Sequence, residues 1–293
     1  MIKIQTLEVS GFKGAIYGMR NPLKSRDLSD SEFTDVSVIG PKDLALGQRL
    51  LSTGKDDESK FMRMIHVQAD ITAPLYWWKE FDTYKVATVA NSESTMHTIA
   101  QREFTASDFS FEHLYSAEDS LMSDLIDALD ECRDRYLEST DKLEKNQATI
   151  HKNWYQLIQL LPSAYMQKRT VDLDYQTLRR IFFARQHHKL YEWSGKDGFC
   201  EWVKTLPYAE DLITYDRKAV LKTQAEVAKD KWSRTLGDLL ATMLLKSASI
   251  DEVAKVTNFS IYILNSAHSY PEVIKRKAEE LNIQGLINKY AIN

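Results

Sequence analysis

Cysteine is almost absent: Cys132 and Cys200 stand far apart, with no His or Cys neighbours at zinc-ligand spacing. That excludes a disulfide framework and a Cys/His metal site, and it fits free thiols in a reducing compartment. No apolar run approaches the roughly 20 residues a membrane span requires. The opening MIKIQTLEVSGFKG alternates apolar and polar residues instead of carrying a signal-peptide core. A cytoplasmic location is the expectation. Glycine and proline are scarce, at ten and six in 293 residues, and with plentiful Leu, Lys, Glu and Ala this favours a helix-rich chain. Gly11, Gly14 and Gly18 lack dinucleotide-fingerprint spacing, and no phosphate loop of the Walker type is present. No Ser or Cys nucleophile motif stands out. Charge of one sign is also missing: 38 basic against 42 acidic residues leave a net charge of −4, with no global attraction for nucleic acid or anionic membrane.

What is present is periodicity. Residues 2–10 alternate as a strand, and 61–73 (FMRMIHVQADITA) reads as a second, ended by Pro74. Pro41 suits the first turn of a helix over 41–54, and Gly54 its stop. Helices are expected over 75–81, 91–102, 108–150, 154–161 and a long 175–193, followed by a further piece holding Trp202. In 108–150, Leu121, Leu125, Leu129, Cys132 and Tyr136 line one stripe, while DECRDR (130–135) reads as a solvated face. The tail from 217 is helical. Within it, SASIDEVAKVTNFSIYILNSA joins two amphipathic patterns through residues 257–260 with the spacing of a helix-turn-helix-like hairpin. A hairpin that only packs is the simpler reading.

The densest chemistry lies in YWWKEFDTYKVATVANSESTMH, 76–97. In a helix or tight turn, Asn91, Ser92, Ser94 and Thr95 would gather hydroxyl and amide donors, as an oxyanion or phosphate site requires, with Lys85 supplying charge. Equally, Asn91 or Ser92 would cap the following helix. A second stretch, RRIFFARQHHKLYEW, interleaves arginines and aromatics as a local basic patch. Its adjacent His187 and His188 face different sides of a helix, which argues against joint metal ligation. Trp77, Trp78, Trp193 and Trp202 read first as core.

The order strand, Pro74, aromatic pair, basic residue, then Asn91-Ser92-Glu93-Ser94 resembles the signature region of the flavin-dependent thymidylate synthases, a run of the form RHR followed by N-E-x-S-x-R. Asn91 and Ser94 stand at that Asn and Ser. Ser92 replaces the Glu, with Glu93 next to it, and Met96 replaces the final Arg. The basic triplet falls on Thr83-Tyr84-Lys85 or Tyr84-Lys85-Val86, so that only Lys85 keeps a positive charge. In QLLPSAYMQKRTVDLDYQTLRRIFFAR (159–185), the Leu-Pro followed by a helix ending in Arg185 is similar to the family's second block. Asp174 and Gln176 stand at its earlier Asn and Arg, and Lys60 at the upstream histidine.

The resemblance spans about 40–210. It implies an α+β fold, helix-rich with a small antiparallel sheet, divided into a thymidylate synthase-like domain at 1–215 and a helical C-terminal extension at 216–293. It further implies methylation of dUMP or a related pyrimidine deoxynucleotide with reduced FAD, methylenetetrahydrofolate and NADPH, in a homo-oligomer for which a tetramer is one size. Arg185 and Ser94 would be catalytic; Asn91, Ser92, Glu93, Ser94 and Arg185 would bind substrate; Lys85, Tyr84, Lys60 and Gln176 would bind cofactor. In such chemistry the flavin carries the hydride, while the protein supplies position and electrostatics. The altered triplet, Met96 and Gln176 motivate an alternative: a homologue that binds a nucleotide without redox chemistry, as a sensor, a sequestering protein or an assembly subunit.

Overall fold

Val67, Ala69, Ile71 and Ala73 are all fully buried and alternate with polar positions, which makes the strand His66–Pro74 the centre of a half-buried sheet. The computed structural model describes residues 1–34, 37–84, 86–114, 119–141, 146–216, 219, 234–243, 246, 248–265 and 271–290. The chain divides into two units, Met1–Tyr215 and Asp216–Asn293.

In the first unit the elements run β1 (Lys3–Ser10), α1 (Phe12–Arg20), β2 (Glu32–Phe33), β3 (Ser37–Val38), α2 (Pro41–Leu51), β4 (His66–Pro74), α3 (Leu75–Phe81), β5 (Thr88–Ser92) and α4 (Thr95–Thr98). They continue with α5 (Asp119–Asp141), α6 (Gln147–Leu160), β6 (Met166–Asp174), α7 (Tyr175–Arg185), α8 (Tyr191–Ser194) and α9 (Phe199–Lys204). A four-stranded antiparallel sheet has the order β1-β4-β6-β5. Its buried face packs with Ile16 of α1, Trp77 and Trp78 of α3, Leu178 and Ile181 of α7, Trp193 of α8 and Phe199 of α9. Gly11 makes the β1–α1 corner possible. It sits at φ +91°, and a Cβ there would lie 1.8 Å from the Met64 carbonyl oxygen, so only glycine lets the two backbones meet. A separate apolar cluster joins Ile99, Phe104 and Phe109 to Leu129 and Cys132 of α5 and Leu157 of α6.

Several expectations are corrected. The strand expected over 61–73 begins only at His66. Lys60–Met64 is instead a 3₁₀ turn in which Met62 is buried and Met64 is 47% exposed. The helix expected over 91–102 is replaced by β5 and the single turn α4. Thr, Val, Asn and Ser are weak helix formers, and the free edge of β6 offers them a ladder, Asn91 opposite Thr170 and Ser92 opposite Arg169. β6 lies outside the expected elements, although Val171 and Leu173 alternate inward from polar neighbours. The long helix expected over 175–193 ends at Arg185; after the turn at 186–190, the Ser194 hydroxyl donates to the His188 carbonyl.

In 108–150, α5 ends at Asp141 and α6 starts at Gln147, where the Asn146 side chain accepts from the amides of Ala148 and Thr149. Replacing Asn146 with Ala is expected to cost about 1 kcal/mol of stability in urea titration, the ordinary value of such a cap. The DECRDR face is only partly solvated. Asp130 accepts from the Phe104 amide, Cys132 is buried, and Arg133 donates to the Ala100 carbonyl.

In the second unit, residues 234–243 are helical, followed by the helices Ile250–Asn265, Pro271–Glu280 and Ile283–Tyr290. Leu236, Leu239, Met243, Val256, Phe259, Ile263 and Ile283 form their own core. The turn expected at 257–260 lies inside one continuous helix. Phe259 is buried, and the Thr257 and Ser260 hydroxyls donate to the carbonyls of Val253 and Val256, one turn back.

Candidate functional site

Arg185 is the last residue of α7, and the first unit folds its side chain onto the end of α3. Its Nε donates to the Tyr84 hydroxyl at 2.8 Å and its Nη1 to Glu80 Oε2 at 2.9 Å. The same Glu80 oxygen accepts from Trp193 Nε1 at 2.9 Å and lies 3.5 Å from His188 Nε2. The guanidinium carbon sits 5.1 Å from the Trp193 ring centre and 5.6 Å from that of Tyr84, the range of cation–π attraction. A planar, delocalised cation held by an ion pair and flanked by two aromatic rings has little rotamer freedom left to lose when it meets a ligand.

The other candidates fall elsewhere. Asn91 and Ser92 are exposed on β5, an edge strand. The Glu93 amide donates to the Lys168 carbonyl, and its carbonyl accepts from Gln167 Nε2 at 3.0 Å. Ser94 occupies the N-cap of α4 without a side-chain capping bond, so neither Asn91 nor Ser92 caps a helix. Gln176 is buried, and its amide is committed: it accepts from Arg63 Nε at 2.5 Å and donates to Ser59 Oγ at 3.0 Å. Lys60 is exposed in the turn that carries Arg63. Lys85 lies outside the described residues. Among the described residues, no hydrogen bond joins Arg185 or Tyr84 directly to residues 91–94.

A side-chain chain does run between the two areas, through residues that sequence reasoning passed over. Gln167, which holds Glu93, accepts from Arg169 Nε at 3.0 Å, and Arg169 Nη1 donates to Asp82 Oδ1 at 2.8 Å, two residues before Tyr84. The Arg169 guanidinium lies 4.2 Å from the Trp78 ring centre. Recognising β6 from the alternation in MQKRTVDLD would have brought Gln167 and Arg169 into view. Beside Glu93, a cleft of about 460 Å³ is lined by Ile99, Arg102, Phe104, Asp108 and Tyr165. Burial alone would push the Asp108 carboxyl up, but the Arg102 fork and the Thr105 amide and hydroxyl more than reverse it, leaving Asp108 below the usual carboxylate range. Burial pushes the Tyr165 phenol up. Both cysteines are buried free thiols, and burial drives Cys200 up to about 12, so it is no nucleophile. Among the described residues, no group of three His, Cys, Asp or Glu side chains could hold a metal ion, and no helix is long and apolar enough to cross a membrane.

No family model and no curated protein matches the chain. Solved structures do. Thymidylate synthase X from Helicobacter pylori, with FAD and dUMP, aligns at a TM-score of 0.50 and 14% identity, covering 73% of this chain and 97% of that one. A second structure, the flavin-dependent thymidylate synthase of H. pylori complexed with FAD and dUMP, gives 0.49 and 16%, covering 72% and 97%. The UMP/dUMP methylase PolB from Streptomyces cacaoi, bound with 5-Br dUMP, gives 0.47 and 12%, covering 73% and 95%. The first of these likenesses establishes the architecture: an α+β chain, helix-rich around a small antiparallel sheet, with the fold of the flavin-dependent thymidylate synthases. At such identities it speaks for fold and not for chemistry, which rests on the residues themselves.

Proposed function

We propose that this chain is a flavin-dependent thymidylate synthase-like protein that binds dUMP or a related pyrimidine deoxynucleotide at Arg185. Residues 1–215 would carry the site and 216–293 a helical extension, in a cytoplasmic homo-oligomer. The observation that carries this reading is the placement of Arg185, clamped by Glu80 and Tyr84 and flanked by the Trp193 ring. A guanidinium so held offers charge-assisted hydrogen bonds to a ring carbonyl and steadies negative charge developing on it. Methylation of the nucleotide is the reaction class this reading implies, with reduced FAD as hydride source, methylenetetrahydrofolate as one-carbon donor and NADPH as reductant.

Of the residues named for FAD, Lys60 is an exposed cation, Lys85 lies outside the described residues, and Tyr84 and Gln176 offer no charge. A flavin diphosphate calls for uncompensated donors, yet Arg185 is paired with Glu80 and Arg169 with Asp82. Thr83 and Tyr84 carry no cation, and Gln176 is buried with its amide bonded. The same pairing favours the second reading, a homologue that binds the nucleotide without redox chemistry. Calorimetry with dUMP and FAD, an absorbance scan of the purified protein and tritium release from 5-labelled deoxyuridylate separate the outcomes. Binding of dUMP is expected on either reading. A flavin band with tritium release selects the enzyme, and dUMP binding with neither selects the second reading. Absence of binding to any pyrimidine deoxynucleotide overturns both.

A further inference from the structure

The cleft beside Glu93 has a volume of about 460 Å³, within the ordinary range of a small-molecule site, and none of the residues that hold Arg185 lines it. Three carboxylates line it, Glu93, Glu103 and Asp108, against a single guanidinium, Arg102. That guanidinium is already taken. Its Nη1 donates to Asp108 Oδ2 at 2.7 Å and to the Glu103 carbonyl at 3.0 Å, and its Nη2 donates to Asp108 Oδ1. Asp108 also accepts from the Thr105 amide at 2.8 Å and from its hydroxyl at 3.0 Å, so the pair is closed on itself. Glu93 and Glu103 are both exposed, and among the described residues no hydrogen bond or ion pair reaches either carboxylate.

These charges select the ligand by sign. Two unpaired carboxylates repel an anion, and the one cation has no charge to spare for it. A bare metal ion is disfavoured as well, because among the described residues no group of three His, Cys, Asp or Glu side chains could hold one. The remaining walls are apolar. Ile99 and Phe104 are buried, and the Tyr165 ring stands 6.4 Å from that of Phe104 at 73°, with no hydrogen bond among the described residues to its hydroxyl. Apolar walls suit a methylene chain, and an aromatic face attracts a neighbouring ammonium. We propose that this cleft binds an aliphatic polyamine, with Glu93 and Glu103 accepting from its ammonium groups and Ile99, Phe104 and Tyr165 covering its methylenes. Such a ligand is opposite in sign to a nucleotide, so the proposal stands apart from the reading of Arg185.

The test titrates spermidine into the full chain by calorimetry, with octane-1,8-diol as a neutral chain of the same length. Wild type is expected to bind one spermidine per chain, and the diol at least about 10-fold more weakly, because the diol lacks the charge that the glutamates read. The double variant Glu93→Gln/Glu103→Gln should weaken spermidine roughly 10-fold and leave the diol unchanged. Neither glutamate has a partner within the fold, so this variant keeps its walls intact. Glu8→Gln/Glu138→Gln removes the same amount of charge from two exposed positions elsewhere, and it should bind spermidine as wild type does. Equal weakening by the two double variants would mean that spermidine only follows the overall negative charge, and it overturns the proposal. Failure of wild type to bind spermidine overturns it too, as does a diol that binds equally well.

Discussion

Trp193→Ala is expected to lower stability by about 3–5 kcal/mol in urea titration, the usual cost of emptying a fully buried indole site. Trp193 has no exposed surface. Its ring centre is 4.6 Å from that of Trp77 and 5.3 Å from that of Phe199, both themselves buried, so no neighbour can move to fill the space without breaking other contacts. The side chain also carries a polar duty, because its Nε1 donates to Glu80 at 2.9 Å. Trp193→Phe separates the two contributions. It retains most of the volume and loses the donor, so roughly 1.5–3 kcal/mol is expected, the value of a hydrogen bond to a charged group. The two substitutions should also differ at the ligand site, since both release one constraint on Glu80 but only the alanine removes the ring beside Arg185. If both variants lose the same stability, the cavity argument fails.

Strong periodicity made part of this architecture legible. β1, α2 and α3 were expected close to where they lie, because alternation, a first-turn proline and an aromatic stripe each leave a clear local pattern. β5 and β6 were not, because their pairing is decided between segments about 80 residues apart, Asn91 against Thr170, and neither strand carries a purely apolar face. The same reason hid half of the candidate site. Arg185 and Tyr84, both candidates in the sequence, meet across 101 positions, but Glu80, which holds Arg185, carries no local signal in α3 that marks it. Trp193 was read as core, and it is core. Its role at the site follows from a single N–H whose partner only the folded chain reveals. Residues 91–94 look like a donor-rich turn in sequence, yet three of the four are exposed on or beside an edge strand, where the backbone takes up the ladder and leaves the side chains to solvent.

Arg20→Met should be as costly as the loss of Trp193, for an electrostatic reason, and its cost should depend on pH. Asp43 is fully buried near the start of α2. Its carboxylate accepts from Arg20 Nε and from the hydroxyls of Ser29 and Ser31, each at 2.6 Å, which ties the 25–31 segment to α1 and α2. Burial by itself would raise the Asp43 carboxyl, but the two hydroxyls and Arg20 outweigh it, and the group titrates below its ordinary 3.8. A depressed carboxyl contributes stability that is fully present above pH 3.8 and is lost as pH falls through the folded value. Methionine keeps the volume of Arg20 and leaves the carboxylate buried without a cation, a change worth about 3–5 kcal/mol when a buried pair is broken. At neutral pH, urea titration should show that full loss. Below pH 3.8, wild type forfeits the contribution of its ionised Asp43, while the variant can bury the neutral acid, so the gap between the two should narrow steadily. A gap that stays constant from pH 7 down to 3 would mean that the ion pair is not what Arg20 contributes. Asp43→Asn with Arg20 intact gives the converse check: it leaves a buried guanidinium without its counter-charge, and its deficit should likewise shrink as wild-type Asp43 is protonated.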